Sequence, residues 1–135
     1  MICLDTNVVS RLIKPAPPLR LVRRMAAVPA KEQSTTAITL AELLHGASRR
    51  PDLNLEERIW AAVRSAHVVF PFDTAAAEVY GPLRAGLERE GRPLPHADLC
   101  IASIALARDL TLVTGNVRHF SRVPGLRVEN WLDVG

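Results

Sequence analysis

Short extended runs separated by helix-length stretches fill this 135-residue chain from end to end. "ICL" (2–4), "EQSTT" (32–36), "VVFPF" (68–72), "TLVT" (111–114) and "LRVENW" (126–131) read as strands bounded by turn or capping residues. The segments between them carry helical apolar spacing. Strands joined through helices can lie parallel, because a parallel connection needs a crossover of about a dozen residues or more. The alternation therefore predicts an α/β fold, a three-layer sandwich with a central parallel sheet flanked by helices. No internal repeat or shift in composition marks a boundary, so residues 1–135 are read as one domain.

Local signals place the helices. Asp5-Thr6-Asn7 ends the first strand and opens a helix. In "PLRLVRRMAAV" the spacing of Leu19, Val22 and Ala26 predicts an inward stripe with arginines opposite. Gly46 is the expected end of "AITLAELLHGASRR", and Asp52 and Asn54 flank the start of "LEERIWAAVRSAH", whose stripe is Leu55, Ile59, Ala62 and Val63. Asp73-Thr74 opens a long helix that Pro82 bends and Gly91 ends. "PLPHADLCIASIALARD" turns Leu99, Ala102, Ile104 and Ala105 inward.

Composition excludes several classes. With 48% hydrophobic and 23% charged residues the chain is far from the disordered range. Its most apolar stretch, "LCIASIALA", is broken by Ser103, ends at Arg108-Asp109 and falls short of the roughly 20 residues that span a bilayer. Asp5 comes too early for a signal peptide, so a cytoplasmic protein is expected. Cys3 and Cys100 sit in apolar segments as small core residues. The net charge of +3 rests on arginine, since Lys14 and Lys31 are the only lysines, and arginine favours a polyanionic partner. Arg20, Arg23, Arg24, Arg49 and Arg50 are the candidates for phosphate contacts. At 4% aromatics, a base-stacking platform is not expected.

Ligands of open parallel sheets bind beyond the carboxyl ends of the strands, where Asp5, Glu42 and Asp98 are expected. Each also has a bland explanation. Asp5 and Thr6 can cap, Thr39-Leu40-Ala41-Glu42 matches a capping box, and Asp98 can offset a helix dipole. Asp73-Thr74, which also follows a strand, is assigned capping alone.

Four segments in order, "MICLDTNVVSRLI", "TTAITLAELLHG", "PHADLCIASIALA" and "LTLVTGNVRHF", resemble the signature segments of PIN domains. More narrowly, the whole length resembles the VapC-type toxin ribonucleases of bacterial toxin–antitoxin pairs. The resemblance implies a PIN-like fold and a Mg²⁺-dependent endoribonuclease, with Mn²⁺ as a substitute, that leaves 5′-phosphate and 3′-hydroxyl ends. It implies Asp5 and Asp98 as principal metal ligands, with Glu42 as a water-mediated ligand or a group orienting the nucleophile. It also starts the helix near Thr36, which weakens the capping box at Glu42. The family's fourth position, often aspartate, is Asn116 here, and an amide makes a second tightly held cation less favourable. Thr6, Asn7 and Thr114 are expected as supporting hydrogen-bond partners. His96 and His119 lie close in sequence and are read as structural, because carboxylate–metal chemistry needs no histidine base.

The expected partners are an RNA substrate, a VapB-type antitoxin whose tail covers the cleft, and a second copy of the chain in a homodimer or a hetero-oligomer with antitoxin. Leu19, Leu21 and Val22 fit either an interface or the core. Two other readings stay open on sequence. One is a catalytically weak PIN-like module that binds RNA or protein. The other is a phosphohydrolase of the haloacid-dehalogenase kind, which Asn7 in place of a second acid disfavours.

Overall fold

The computed structural model describes residues 1–50 and 53–132. Its elements in chain order are β1 (Ile2–Leu4), α1 (Thr6–Leu12), α2 (Leu19–Ala27), β2 (Gln33–Thr36), α3 (Ala37–Ser48), α4 (Leu53–Ser65), β3 (Val68–Phe70), α5 (Thr74–Arg89), α6 (His96–Ala107), β4 (Thr111–Val113), α7 (Val117–Phe120) and β5 (Arg127–Glu129). A short 3₁₀ turn, Ala30–Glu32, precedes β2. The sheet order is β3-β2-β1-β4-β5 and every neighbouring pair is parallel, as the alternation predicts.

Side-chain alternation along the central strands feeds two cores. Cys3 and Leu112 face one layer, with Leu99, Ile101, Ala102, Ala105 and Phe120. Leu4 and Val113 face the other, with Val8, Val9, Leu21, Leu43, Ile59 and Trp131. A sheet covered on both faces is the three-layer arrangement expected of parallel strands. Both cysteines are free and buried, and burial pushes the Cys3 thiol up to about 12.

The polar strand β2 is fully buried. Its side chains hydrogen-bond the neighbouring backbone: Ser34 donates to the Ile2 carbonyl at 2.7 Å, Thr35 to that of Leu4 at 2.8 Å, and Gln33 to that of Val28 at 2.9 Å. Burial of such groups is tolerated only when they are paired this way.

Three local expectations change. On α2 the inward residues are Leu21 and, partly, Met25, whereas Leu19, Val22 and Ala26 are exposed. Arg20 donates to the Asn130 carbonyl and Arg24 pairs with Glu129, which rotates that stripe toward the end of β5. Gly46 does not end α3, which closes at Arg49. Thr36, not Thr39, caps α3 by accepting the Thr39 N–H at 3.1 Å, so Glu42 lies in the second turn and caps nothing. Helix α5 runs unbroken through Pro82 and ends as expected, with Gly91 at φ +68° and the Arg92 N–H bonded to the Leu87 carbonyl. Asp52, read as flanking α4, lies outside the described residues.

Candidate metal and nuclease site

The strand order reverses at β1, which pairs with β2 on one side and β4 on the other. That switch opens a crevice beyond the strand ends, the usual ligand position in such sheets. Asp5 enters it from β1 and Thr114-Gly115-Asn116 from β4; α3 brings Glu42, and the first turn of α6 brings Asp98.

Asp5 is 4% exposed. Its backbone caps α1, accepting the N–H groups of Val8 and Val9, but its side chain makes no capping bond. Instead, one carboxylate oxygen (Oδ2) accepts the Thr114 hydroxyl at 2.7 Å, and that hydroxyl accepts the Asn116 N–H at 2.9 Å. Burial is the main cause that raises its pKa from 3.8 to about 6, helped by the negative charges of Asp98 and Glu42 and opposed by hydrogen bonds from Thr114 and the Thr6 backbone. Asp5 therefore senses both other carboxylates across the crevice.

The Thr6 hydroxyl donates to Glu42 Oε1 at 2.6 Å and lies 3.2 Å from the Thr39 hydroxyl, which ties α1 to α3. Asn7 Oδ1 accepts the Gly115 N–H at 3.1 Å, which ties α1 to the loop after β4. Thr6 and Thr114 thus hydrogen-bond carboxylates of the crevice, whereas Asn7 bonds a backbone N–H.

His119 Nδ1 lies 3.2 Å from Asp98 Oδ2 and 2.8 Å from Asn116 Nδ2. A single ring nitrogen cannot donate to one and accept from the other at once. With the proton on Nδ1 donated to Asp98, turning the Asn116 amide so that its oxygen faces the ring, an exchange of nearly isosteric atoms, removes the clash of two donors. The sequence signal for this contact was the three-residue spacing of Asn116 and His119 at a helix start. His96, by contrast, bonds the Tyr80 hydroxyl at 2.6 Å on α5.

Among the described residues no lysine or arginine pairs with Asp5, Glu42 or Asp98. No three His, Cys, Asp or Glu side chains among those residues are grouped to ligate an ion unaided. The donors are all oxygen, and two direct carboxylates completed by water are what a small hard divalent cation takes. Asp5 and Asp98 suit that role, and such an ion would relieve the repulsion that raises Asp5.

Of the five candidate arginines, Arg50 lines a groove of about 300 Å³ that starts at Thr6 and Glu42 and runs over Ile13, Leu43, Leu55 and Ile59. Arg20, Arg23 and Arg24 border a separate depression beside Pro18 and Leu19, and Arg49 is exposed at the end of α3. The structure does not gather them into one track.

Comparison with known proteins follows the same lines. The PIN domain profile matches residues 2–126. The chain is 39% identical over 130 residues, 95% of its length and 96% of the relative's, to the "tRNA(fMet)-specific endonuclease VapC" of Shigella flexneri. Its fold resembles that of a Salmonella typhimurium protein in a DNA-bound VapBC crystal structure, with a TM-score of 0.83 at 35% identity over 97% of this chain and 99% of that one. VapBC2 from Rickettsia felis, bound to a promoter DNA fragment, gives 0.83 at 32% over 97% and 99%. A haloacid-dehalogenase reading has no place beside these likenesses. The chain belongs to the PIN domain family.

Proposed function

We propose that this protein is a VapC-type endoribonuclease toxin that hydrolyses RNA phosphodiester bonds with Mg²⁺, or Mn²⁺ in its place, and is silenced by a VapB-type antitoxin. The observation that carries the proposal is that Asp98 and Glu42 lie within electrostatic reach of Asp5 at the sheet's switch point, where among the described residues no lysine or arginine pairs with any of the three. A bound divalent cation supplies charge stabilisation at the phosphate and lowers the pKa of a bound water. Asp5 and Asp98 would hold it. Thr114 fixes the rotamer of Asp5, and His119 fixes that of Asp98. Glu42, oriented by Thr6, aligns the attacking water. Asn116 offers an amide without adding charge, which favours one tightly held ion over two.

The Shigella relative's name makes tRNA(fMet) the first substrate to assay. The groove leading from Glu42 has an apolar floor and cationic Lys14, Arg50 and Arg58 on its walls, which suits an apolar antitoxin segment with acidic flanks. We take it to act on cellular RNA in the cytoplasm, as a homodimer or as a hetero-oligomer with its antitoxin. Among the described residues no helix is long and apolar enough to cross a membrane.

The test is cleavage of tRNA(fMet) and of mixed cellular RNA by purified protein, with Mg²⁺ and with chelator. Asp98→Asn, folded by circular dichroism, should lose cutting in the tube and growth arrest in cells. Full activity in that variant would remove the site from consideration. Salt-dependent RNA binding by the parent protein without cutting at any Mg²⁺ level would favour a catalytically weak binding module.

A further inference from the structure

We propose that the cavity bordered by Asn7, Ser10, Arg11, Lys14, Gly115 and Leu132 is a backbone-phosphate subsite that holds the RNA strand beside the scissile bond. The inference rests on the ribonuclease reading above and extends it to a surface outside the carboxylate cluster. The cavity measures about 460 Å³, within the range of pockets that hold nucleotide-sized ligands. It abuts the reaction site through two chain connections. Asn7 is two residues beyond Asp5, and Gly115 lies between Thr114, the donor to Asp5, and Asn116.

Among the described residues its lining sets the donors of Asn7, Ser10, Arg11 and Lys14 beside apolar Leu132 and contains no carboxylate. Asn7 commits its Oδ1 to the Gly115 N–H, which leaves the amide NH₂ as its free function. Arg11 and Lys14 are exposed, and among the described residues neither forms an ion pair or a hydrogen bond. Arg24, Arg84, Arg108 and Arg127 differ, each being paired with a carboxylate. Among the described residues no carboxylate therefore takes up the positive charge at this cavity, and a phosphodiester is an anion whose oxygens match guanidinium and ammonium donors. The wall at residue 115 is bare backbone: a Cβ there would fall 2.7 Å from the Leu132 Cδ1. Of the arginines picked from sequence, Arg24 is instead occupied with Glu129 at the end of β5 and Arg20 with the Asn130 carbonyl just beyond it.

The test compares Arg11→Gln/Lys14→Gln with Lys31→Gln/Arg89→Gln, a charge-matched pair elsewhere on the surface. RNA affinity is measured in chelator, where no cutting occurs, across a salt series. Each single-strand phosphate contact contributes about 0.7 to the slope of log affinity against log salt. The cavity pair should therefore lower the slope by ~1.4 and weaken binding about tenfold at moderate salt. The matched pair should change both much less. In Mg²⁺ the cavity pair should raise KM for RNA far more than it lowers kcat. Equal losses in the two pairs, an unchanged slope, or a loss confined to antitoxin binding would overturn the subsite. The parent protein separates this from failure of the nuclease reading. If it cuts RNA while the slope stays put, only the subsite falls; if it never cuts and the slope still drops, the subsite stands without the nuclease.

Discussion

Asp5 and Asp73 occupy the same position in the chain's logic: each follows a strand, precedes a threonine and stands at the N-cap of a helix. Asp73 accepts the Ala76 N–H at 3.0 Å and the Arg108 guanidinium at 2.6 Å, and those two bonds hold its carboxyl below the usual range. The Asp5 side chain makes no capping bond to its helix beyond the adjacent Thr6 N–H, and among the described residues no lysine or arginine pairs with it, while burial and two neighbouring carboxylates push it up to about 6. The difference comes from position in the sheet. β3 is an edge strand whose end is open to solvent and to Arg108, whereas β1 is central, flanked by β2 and β4 and covered on both faces. A carboxylate engaged as a cap has its charge satisfied by its own helix; one left out of capping remains available to an ion.

The widest separation between the two should appear in catalysis. Asp5→Asn is expected to cut RNA cleavage by on the order of 10²–10³-fold or more, the scale of losing a group aimed at the reacting charge. Asp73→Ala should leave the rate unchanged. A measured rate for Asp5→Asn close to the parent would mean that the central carboxylate is, after all, only another helix-start residue.

Stability should separate them by sign. A carboxyl whose folded pKa is about 6 against 3.8 unfolded contributes stability that is present below pH ~4 and lost as pH rises through 6. Above that pH, without metal, the buried charge costs about 3 kcal/mol, from 1.36 kcal/mol for each pH unit between the two values. In chelator at pH 7.5, Asp5→Asn should therefore melt higher than the parent protein, and Mg²⁺ should raise the parent's melting temperature but not the variant's. Asp73 runs the other way. Its folded pKa is lowered, so its contribution is present above pH ~4 and lost in acid, and Asp73→Ala should melt lower at pH 7.5. Shifts of the same sign for both variants would erase the distinction.

The sequence carried the layer order and the acidic residues more clearly than it carried their surroundings. Strand–helix alternation is a one-dimensional pattern, and it predicted the all-parallel sheet and the Gly91 stop. The inward face of α2 was misjudged because helical spacing in nine residues fits more than one stripe, and the choice fell to Asn130 and Glu129, about 105 to 110 positions away. Strand β2 looked weak because its residues are polar; only the carbonyls of β1 and the segment after α2, supplied by the fold, make it a buried strand. Glu42 matched a capping box until Thr36 took the cap. The hydroxyl on Asp5 comes from Thr114, 109 residues along, and Arg11 and Lys14 drew no notice because an uncommitted charge shows only when every other side chain has been placed.

That long-range hydroxyl offers the subtlest contrast. Asp73 draws its bonds from a backbone N–H and an arginine, so no single neutral side chain sets its acidity. Asp5 has one side-chain donor, and Thr114→Val removes it with almost no change in shape. The variant should carry Asp5 further up, so that in chelator the fall in melting temperature with rising pH still begins near pH ~4 but is larger and continues beyond the parent's end near 6. It also strands the Asn116 N–H, which now bonds the same hydroxyl, and loosens the loop that carries Asn116 beside His119. Cleavage should drop about tenfold, the low end for losing a group that orients a metal ligand. Thr114→Ser, which keeps the hydroxyl, should restore both the pH window and most of the rate. If Val and Ser behave alike, burial alone sets the acidity of Asp5, and the hydrogen bond from β4 has no part in holding it ready.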